Sequence, residues 1–130
     1  MAQGLISRPF ATPTAAVEAL GAMQGQDLPG VLASATLRTP LGADAVLADL
    51  DAGKLVRGYP MRGTVFLLPA DDAAWITELC ARPSVRAASA RSHQLELDAA
   101  QIERARALAC VALEAGPLTR AALFEVWDEH

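Results

Sequence analysis

The hydrophobic spacing of the chain changes period near Gly53 and changes back after Pro69. Before Gly53 the apolar residues recur at helical intervals. Thr12-Pro13 reads as a helix N-cap followed by proline at the first helical position, where a missing N–H costs nothing. The helix it opens runs through AAVEALGAMQ, with Val17, Leu20 and Gln24 on one face and Gly25 as its stop. On that reading Gln24 points inward. A second helix is expected over Gly30–Leu37, after the break at Asp27–Pro29, and a third over Ala43–Leu50 with Val46, Leu47 and Leu50 as its stripe. Lys54–Tyr59 and Gly63–Leu68 are rich in Val, Leu, Phe, Tyr and Thr, and read as two strands of an antiparallel hairpin joined through Pro60-Met61-Arg62.

Helical signals resume after Pro69. Asp71 or Asp72 can cap a helix through Trp75, Leu79 and Cys80, with Pro83 ending or restarting it and Ser84–Ala90 helical. Asp98 with Gln101 opens a long helix that stops at Gly116-Pro117. Thr119 caps a last helix that turns Leu123, Val126 and Trp127 inward. No stop signal follows Trp127, so the sequence reads as one piece of a longer protein and predicts self-association through that apolar face.

Three short helices followed by a hairpin is the winged-helix order. The expected class is therefore α+β, mostly α: a winged helix over residues 1–70, a helical extension or connector over 71–117, and the start of a further module over 118–130. The third helix of a winged helix lies against DNA. Here it carries Asp44 and Asp49 and no Lys, Arg, Asn or Gln, so it is poorly equipped to read base edges. The hairpin is the better DNA surface, because Lys54, Arg57 and Arg62 fall in a stretch without an acid. A second acid-free run holds Arg82, Arg86 and Arg91.

Composition adds exclusions. With 130 residues, 52% of them hydrophobic, and a mean hydropathy of +0.24, the chain can bury a core, so global disorder is excluded. No apolar run is long enough to span a bilayer, and the N-terminus lacks the apolar stretch of a signal peptide, so no membrane association and a cytoplasmic location are expected. The 28 alanines, and ten arginines against one lysine, carry the stamp of a GC-rich genome. A net charge of −4 runs against an overall basic nucleic-acid binder.

Nothing in the sequence builds a Ser-His-Asp or Cys-His site, since His93 stands alone and His130 is terminal. Cys80 and Cys110 read as reduced core residues, and Trp75 and Trp127 as core aromatics. No metal set and no phosphate-binding glycine loop is present, so no cofactor is expected. The exception is Met23-Gln24-Gly25-Gln26-Asp27. An amide on an apolar stripe needs partners, because leaving it unpaired costs a few kcal/mol. Those partners are either a reacting ligand or the orphan carbonyls of a helix end.

Three pieces of the chain then resemble one family in the right order: RPFATPTAAVEALGAMQGQDLPG, LASATLRTP and LVRGYPMRGTVFLLPADDAAW. They look like the winged-helix DNA glycosylases of the AlkZ-like family, which excise alkylated bases and unhook interstrand crosslinks. The motifs are a Gln-X-Gln, here Gln24-Gly25-Gln26, and Met61-Arg62-Gly63-Thr64. The resemblance implies a glycosylase built from tandem winged helices, of which this chain is the N-terminal part. It also implies duplex DNA carrying alkylated or crosslinked bases as partner, Gln24 and Gln26 as the water-positioning pair, and Lys54, Arg57, Arg62 and Thr64 on the DNA backbone. The alternative is a non-catalytic winged-helix module that binds DNA or regulates, with structural amides. Phe66 stands where many relatives carry His, and Gly25 is smaller than their usual middle residue.

Overall fold

The computed structural model describes residues 3–129, with the side chain of His93 and residue 130 outside the described residues. The described residues form six helices and one three-stranded antiparallel sheet of order β1-β3-β2, a mostly helical α+β fold of the winged-helix kind. The chain divides into two compact units, one running to Val85 and one from Arg86 onward.

In the first unit, α1 (Pro13–Leu20) begins as the sequence dictates, with Thr12 Oγ1 accepting from Ala15 N at 3.1 Å. It ends one turn earlier than the apolar spacing predicts. Gly21 takes φ +74°, a left-handed value that glycine adopts without a Cβ penalty, and its N–H closes the helix on Glu18 O. The residues beyond it become β1 (Met23–Gln24), paired with the hairpin through Met23↔Leu67 and Gln24↔Phe66. Gln24 is therefore exposed rather than inward, because a strand alternates faces and Met23 takes the buried side.

Helix α2 (Leu28–Thr36) starts two residues before the expected Gly30, because Asp27 accepts from Gly30 N at 2.9 Å and Pro29 fits the first turn. Helix α3 (Ala43–Asp51) follows after Gly42. Strands β2 (Leu55–Met61) and β3 (Thr64–Pro69) form the hairpin, with β2 starting one residue later and ending two residues later than expected. The register shifts between Gly58 and Met61, so Pro60 sits at an irregularity within β2, where its missing N–H removes no ladder bond. The turn itself is Arg62-Gly63, both at positive φ (52° and 68°), the geometry of a two-residue hairpin whose twist matches its strands.

Strand β3 is buried on both sides and divides the core. Leu67 faces Val17, Met23, Val31, Ala35, Val46 and Leu55. Phe66 and Leu68 face Ile76, with Val56, Met61, Ala73 and Cys80 packed around them. Each fully buried side chain of this size contributes about 1.5–3 kcal/mol. One polar group is built into the first layer. Asp49 accepts from Thr14 Oγ1 at 2.8 Å and Thr14 N at 3.3 Å, and pairs with Lys54 Nζ at 3.1 Å. It thereby ties α1, α3 and the start of the hairpin together. Burial pushes its carboxyl up, but Thr14 and the Lys54 ammonium together outweigh that and hold it below the ordinary value.

Helix α4 (Ala70–Gln94) runs through Pro83 rather than ending there. Pro83 forfeits one backbone hydrogen bond, and the strong helix formers Leu79, Ala81, Arg82 and Arg86 carry the helix across. Trp75 is 53% exposed, with its Nε1 on Asp72 Oδ1 at 2.7 Å, so it is not the core aromatic its spacing predicts. Cys80 is half-buried, whereas Cys110 is exposed.

The second unit contains α5 (Ala99–Glu114) and α6 (Arg120–Asp128). Asp98 and Gln101 form the reciprocal cap read from the sequence. Leu123, Val126 and Trp127 are partly buried, and Trp127 Nε1 donates to Ala105 O at 2.9 Å. Neither helix has a fully buried residue, and Phe124 stays 44% exposed beneath the Arg120 guanidinium.

Candidate functional site

Gln24-Gly25-Gln26 lies along the inner strand of the hairpin. Gly25 N donates to Val65 O at 2.8 Å, continuing the β1–β3 ladder by one residue. A Cβ on Gly25 would stand 3.0 Å from Leu67 N and from Phe66 C, closer than ordinary packing allows, so the motif's middle residue is pressed onto backbone. The two glutamines flank this contact and are both exposed.

Their amides differ. Gln26 Oε1 accepts from Val65 N at 3.1 Å, which occupies a strand donor that β1 no longer reaches. The Gln24 side chain makes no hydrogen bond among the described residues. It lines an open cleft of about 250 Å³ with Gln3, Leu20, Ala22, Met23, Ser34 and Arg38. Gln26 does not line that cleft, so the two amides do not share it.

Residues 17–128 match the family model for DNA glycosylase AlkZ-like. The chain belongs to the AlkZ-like DNA glycosylase family. No curated protein and no solved structure matches the chain. Family membership associates the chain with DNA repair and DNA as partner.

The four hairpin residues that the family resemblance places on DNA have separate surroundings. Arg57 reaches inward along the sheet: Nε donates to Gly25 O at 2.8 Å and Nη2 to Gln26 O at 3.0 Å. Its planar fork thus fastens the backbone of the glutamine motif from β2. Lys54 is committed to Asp49, although its side chain stays 61% exposed. Arg62 projects from the turn, exposed, with no ion pair among the described residues. Thr64 is half-buried and pairs with Met61 at the start of β3. The exposed side of α3 offers Asp44 and Asp51, and no cation. On α4, Arg82, Arg86 and Arg91 are all exposed.

Phe66 is 8% exposed and lies opposite Gln24 across the β1–β3 pair. It supplies apolar packing against Leu68 and Ile76. Among the described residues no group of His, Cys, Asp and Glu could hold a metal ion, and no helix is long and apolar enough to cross a membrane.

Sequence reading missed two side chains. The hydrogen bonds of Arg57 to the glutamine motif are one, because a basic residue on a wing gives no signal that it also reaches a neighbouring strand. Arg38 is the other, 8% exposed and lining the same cleft as Gln24. Its only sequence signal is position: it follows the apolar face of α2 by two residues, where a chain leaving a helix often turns inward.

Proposed function

We propose that this chain is the lesion-facing winged helix of a DNA glycosylase that hydrolyses the N-glycosidic bond of alkylated or crosslinked bases. The observation that carries the reading is the Gln-Gly-Gln segment fixed against β3 by Gly25 and Arg57, with the Gln24 amide left unbonded. A pre-set backbone with a free amide is what a water-positioning group needs.

The chemistry is coherent with amides instead of carboxylates. An alkylated purine carries positive charge on its ring and leaves readily, so little acid help is needed. What remains is to orient a water against an oxocarbenium-like sugar. Glutamine can accept a hydrogen bond from water through its carbonyl and donate one to the water oxygen through its NH2, although it is no base. In this reading Gln24 holds the water directly. Gln26, outside that cleft and with its oxygen on Val65 N, has its NH2 left for the bound nucleotide. Arg62 on the turn and the half-buried Thr64 next to it, with the exposed Lys54 at the opposite end of the hairpin, meet the DNA backbone, and such contacts position without reading sequence.

One observation favours a second reading, a winged helix that binds DNA without hydrolysis. Gln26 Oε1 is already spent on a backbone N–H, which is a structural role. The test is base release from duplex DNA containing N7-methylguanine by the full-length protein and by its Gln24→Ala and Gln26→Ala variants. Loss of release with an unchanged melting temperature supports hydrolysis. DNA binding without release by the wild type establishes the second reading.

A further inference from the structure

We propose that Arg38 is the seat for a DNA phosphodiester next to the nucleotide served by Gln24. The inference rests on the glutamine motif facing DNA, as argued above, and adds the group that holds the strand there. Arg38 is 8% exposed. Its Nη1 donates to Ser34 O at 2.7 Å and Ser34 Oγ at 2.8 Å, which closes the last turn of α2. Its Nε is buried and has no hydrogen-bond partner. No carboxylate pairs with it among the described residues. A guanidinium keeps its charge in a protein, and a buried charge without a counter-ion is destabilising. No carboxylate among the described residues compensates this cation, and the cleft it lines is open to a ligand.

The geometry of the fork says what fits. Ser34 takes one corner, and the Nε–Nη2 edge is left without an acceptor. That edge presents two parallel N–H groups, the arrangement that meets two oxygens of a phosphate or carboxylate. The cleft beside it is lined on its polar side by Gln24 and Ser34, and on its apolar side by Leu20, Ala22 and Met23. Its volume of about 250 Å³ exceeds that of an anion alone and leaves room for the attached sugar. A phosphodiester fits this mixed lining, with charge on the fork and sugar on the aliphatic wall. Because Nε itself has no accessible surface, the wall has to part slightly for the second oxygen to reach it.

The experiment measures the salt dependence of duplex DNA binding by the full-length protein, together with base release and thermal melting, for wild type, Arg38→Gln and Arg38→Lys. Loss of one phosphate contact lowers the slope of log K against log salt by about 0.9. Arg38→Gln is expected to show that drop and Arg38→Lys to keep the slope. If both variants melt lower with the wild-type slope, Arg38 only closes α2 and the proposal is overturned. Should Arg38→Gln not fold, the wild-type protein labelled with 15N still answers. The Arg38 Nε–H resonance shifts on titration with the dinucleotide TpT if the seat exists and stays fixed if it does not. Base release separates the two layers of argument: a slope change without any wild-type release sinks the glycosylase reading and keeps the seat, while normal release and slope in Arg38→Gln does the reverse.

Discussion

Arg57 can act on the glutamine motif or on DNA, and replacing it by lysine and by glutamine tells these apart. Arg57 spans two consecutive carbonyls, Gly25 O at 2.8 Å and Gln26 O at 3.0 Å. Hydrogen bonds from a charged donor are worth about 1.5–3 kcal/mol each. Both Arg57 and Gln26 are exposed, so water replaces part of what is lost. A net cost of about 1–2 kcal/mol for Arg57→Gln is the reasonable value, discounted from the sum for that rehydration. For a unit of this size each kcal/mol moves the melting temperature by about 4–8 °C. The effect on chemistry is larger than on stability, since a misplacement of 1 Å at reacting groups costs about 100-fold.

Lysine is the discriminating substitution. It keeps the charge but is a point donor that cannot bridge two carbonyls. If Arg57 fastens the motif, Arg57→Lys and Arg57→Gln both lose base release and melting temperature, and the salt slope of DNA binding stays at the wild-type value. The assays are single-turnover base release, thermal melting, and binding titrated against salt. If instead Arg57→Lys melts and reacts as wild type while Arg57→Gln alone loses about 0.9 in slope, Arg57 serves phosphate and the reasoning from its hydrogen bonds is refuted.

Other perturbations follow from the same structure. Asp49→Asn should destabilise by about 1–3 kcal/mol at neutral pH, read by thermal melting, because it removes a charged acceptor from Thr14 and Lys54. The carboxyl is held low in the folded state, so its stabilisation is present above the unfolded value of about 3.9 and is lost as pH falls through the folded one; the Asn variant should lack that acid-side loss. Arg62→Gly should raise stability by a few tenths to 1 kcal/mol, since Arg62 sits at φ +52°, and should also lower the salt slope if Arg62 meets phosphate. Leu67→Ala should cost about 2–5 kcal/mol in chemical denaturation, because Leu67 is fully buried at the centre of the larger core cluster.

The winged-helix order was legible because it rests on period and punctuation, both of which are local. Thr12-Pro13, Asp98 with Gln101 and Thr119 each cap the helix they were read to cap. The hairpin followed from β-rich composition on either side of a turn. What could not be read is what depends on partners distant in sequence. β1 is two residues long and exists only because β3 lies beside it, so no periodicity within it could announce a strand. Asp49 carries no sign that Thr14, 35 residues away, will bury it. Pro83 punctuates the sequence without ending α4, since one lost backbone bond does not stop a helix flanked by strong formers.

The glutamine motif shows how a change of local structure changes what one side chain requires. Helical spacing put Gln24 on an inward stripe, which would have made it a buried amide in need of partners. Gly21 ends the helix first, and the same residue becomes an exposed strand position with an unbonded amide. The two readings differ in what the amide lacks: a buried one would require a fixed protein partner, whereas an exposed one is free for a ligand. That difference moves the local need for compensation from Gln24 to Arg38, the buried group beside the same cleft whose Nε is without an acceptor. A chain selected only to fold gains nothing from leaving a guanidinium edge empty there, since a carboxylate or an apolar side chain would cost less. An anion that comes and goes removes the penalty when it is bound, and it would bind where Gln24 can act on what it brings.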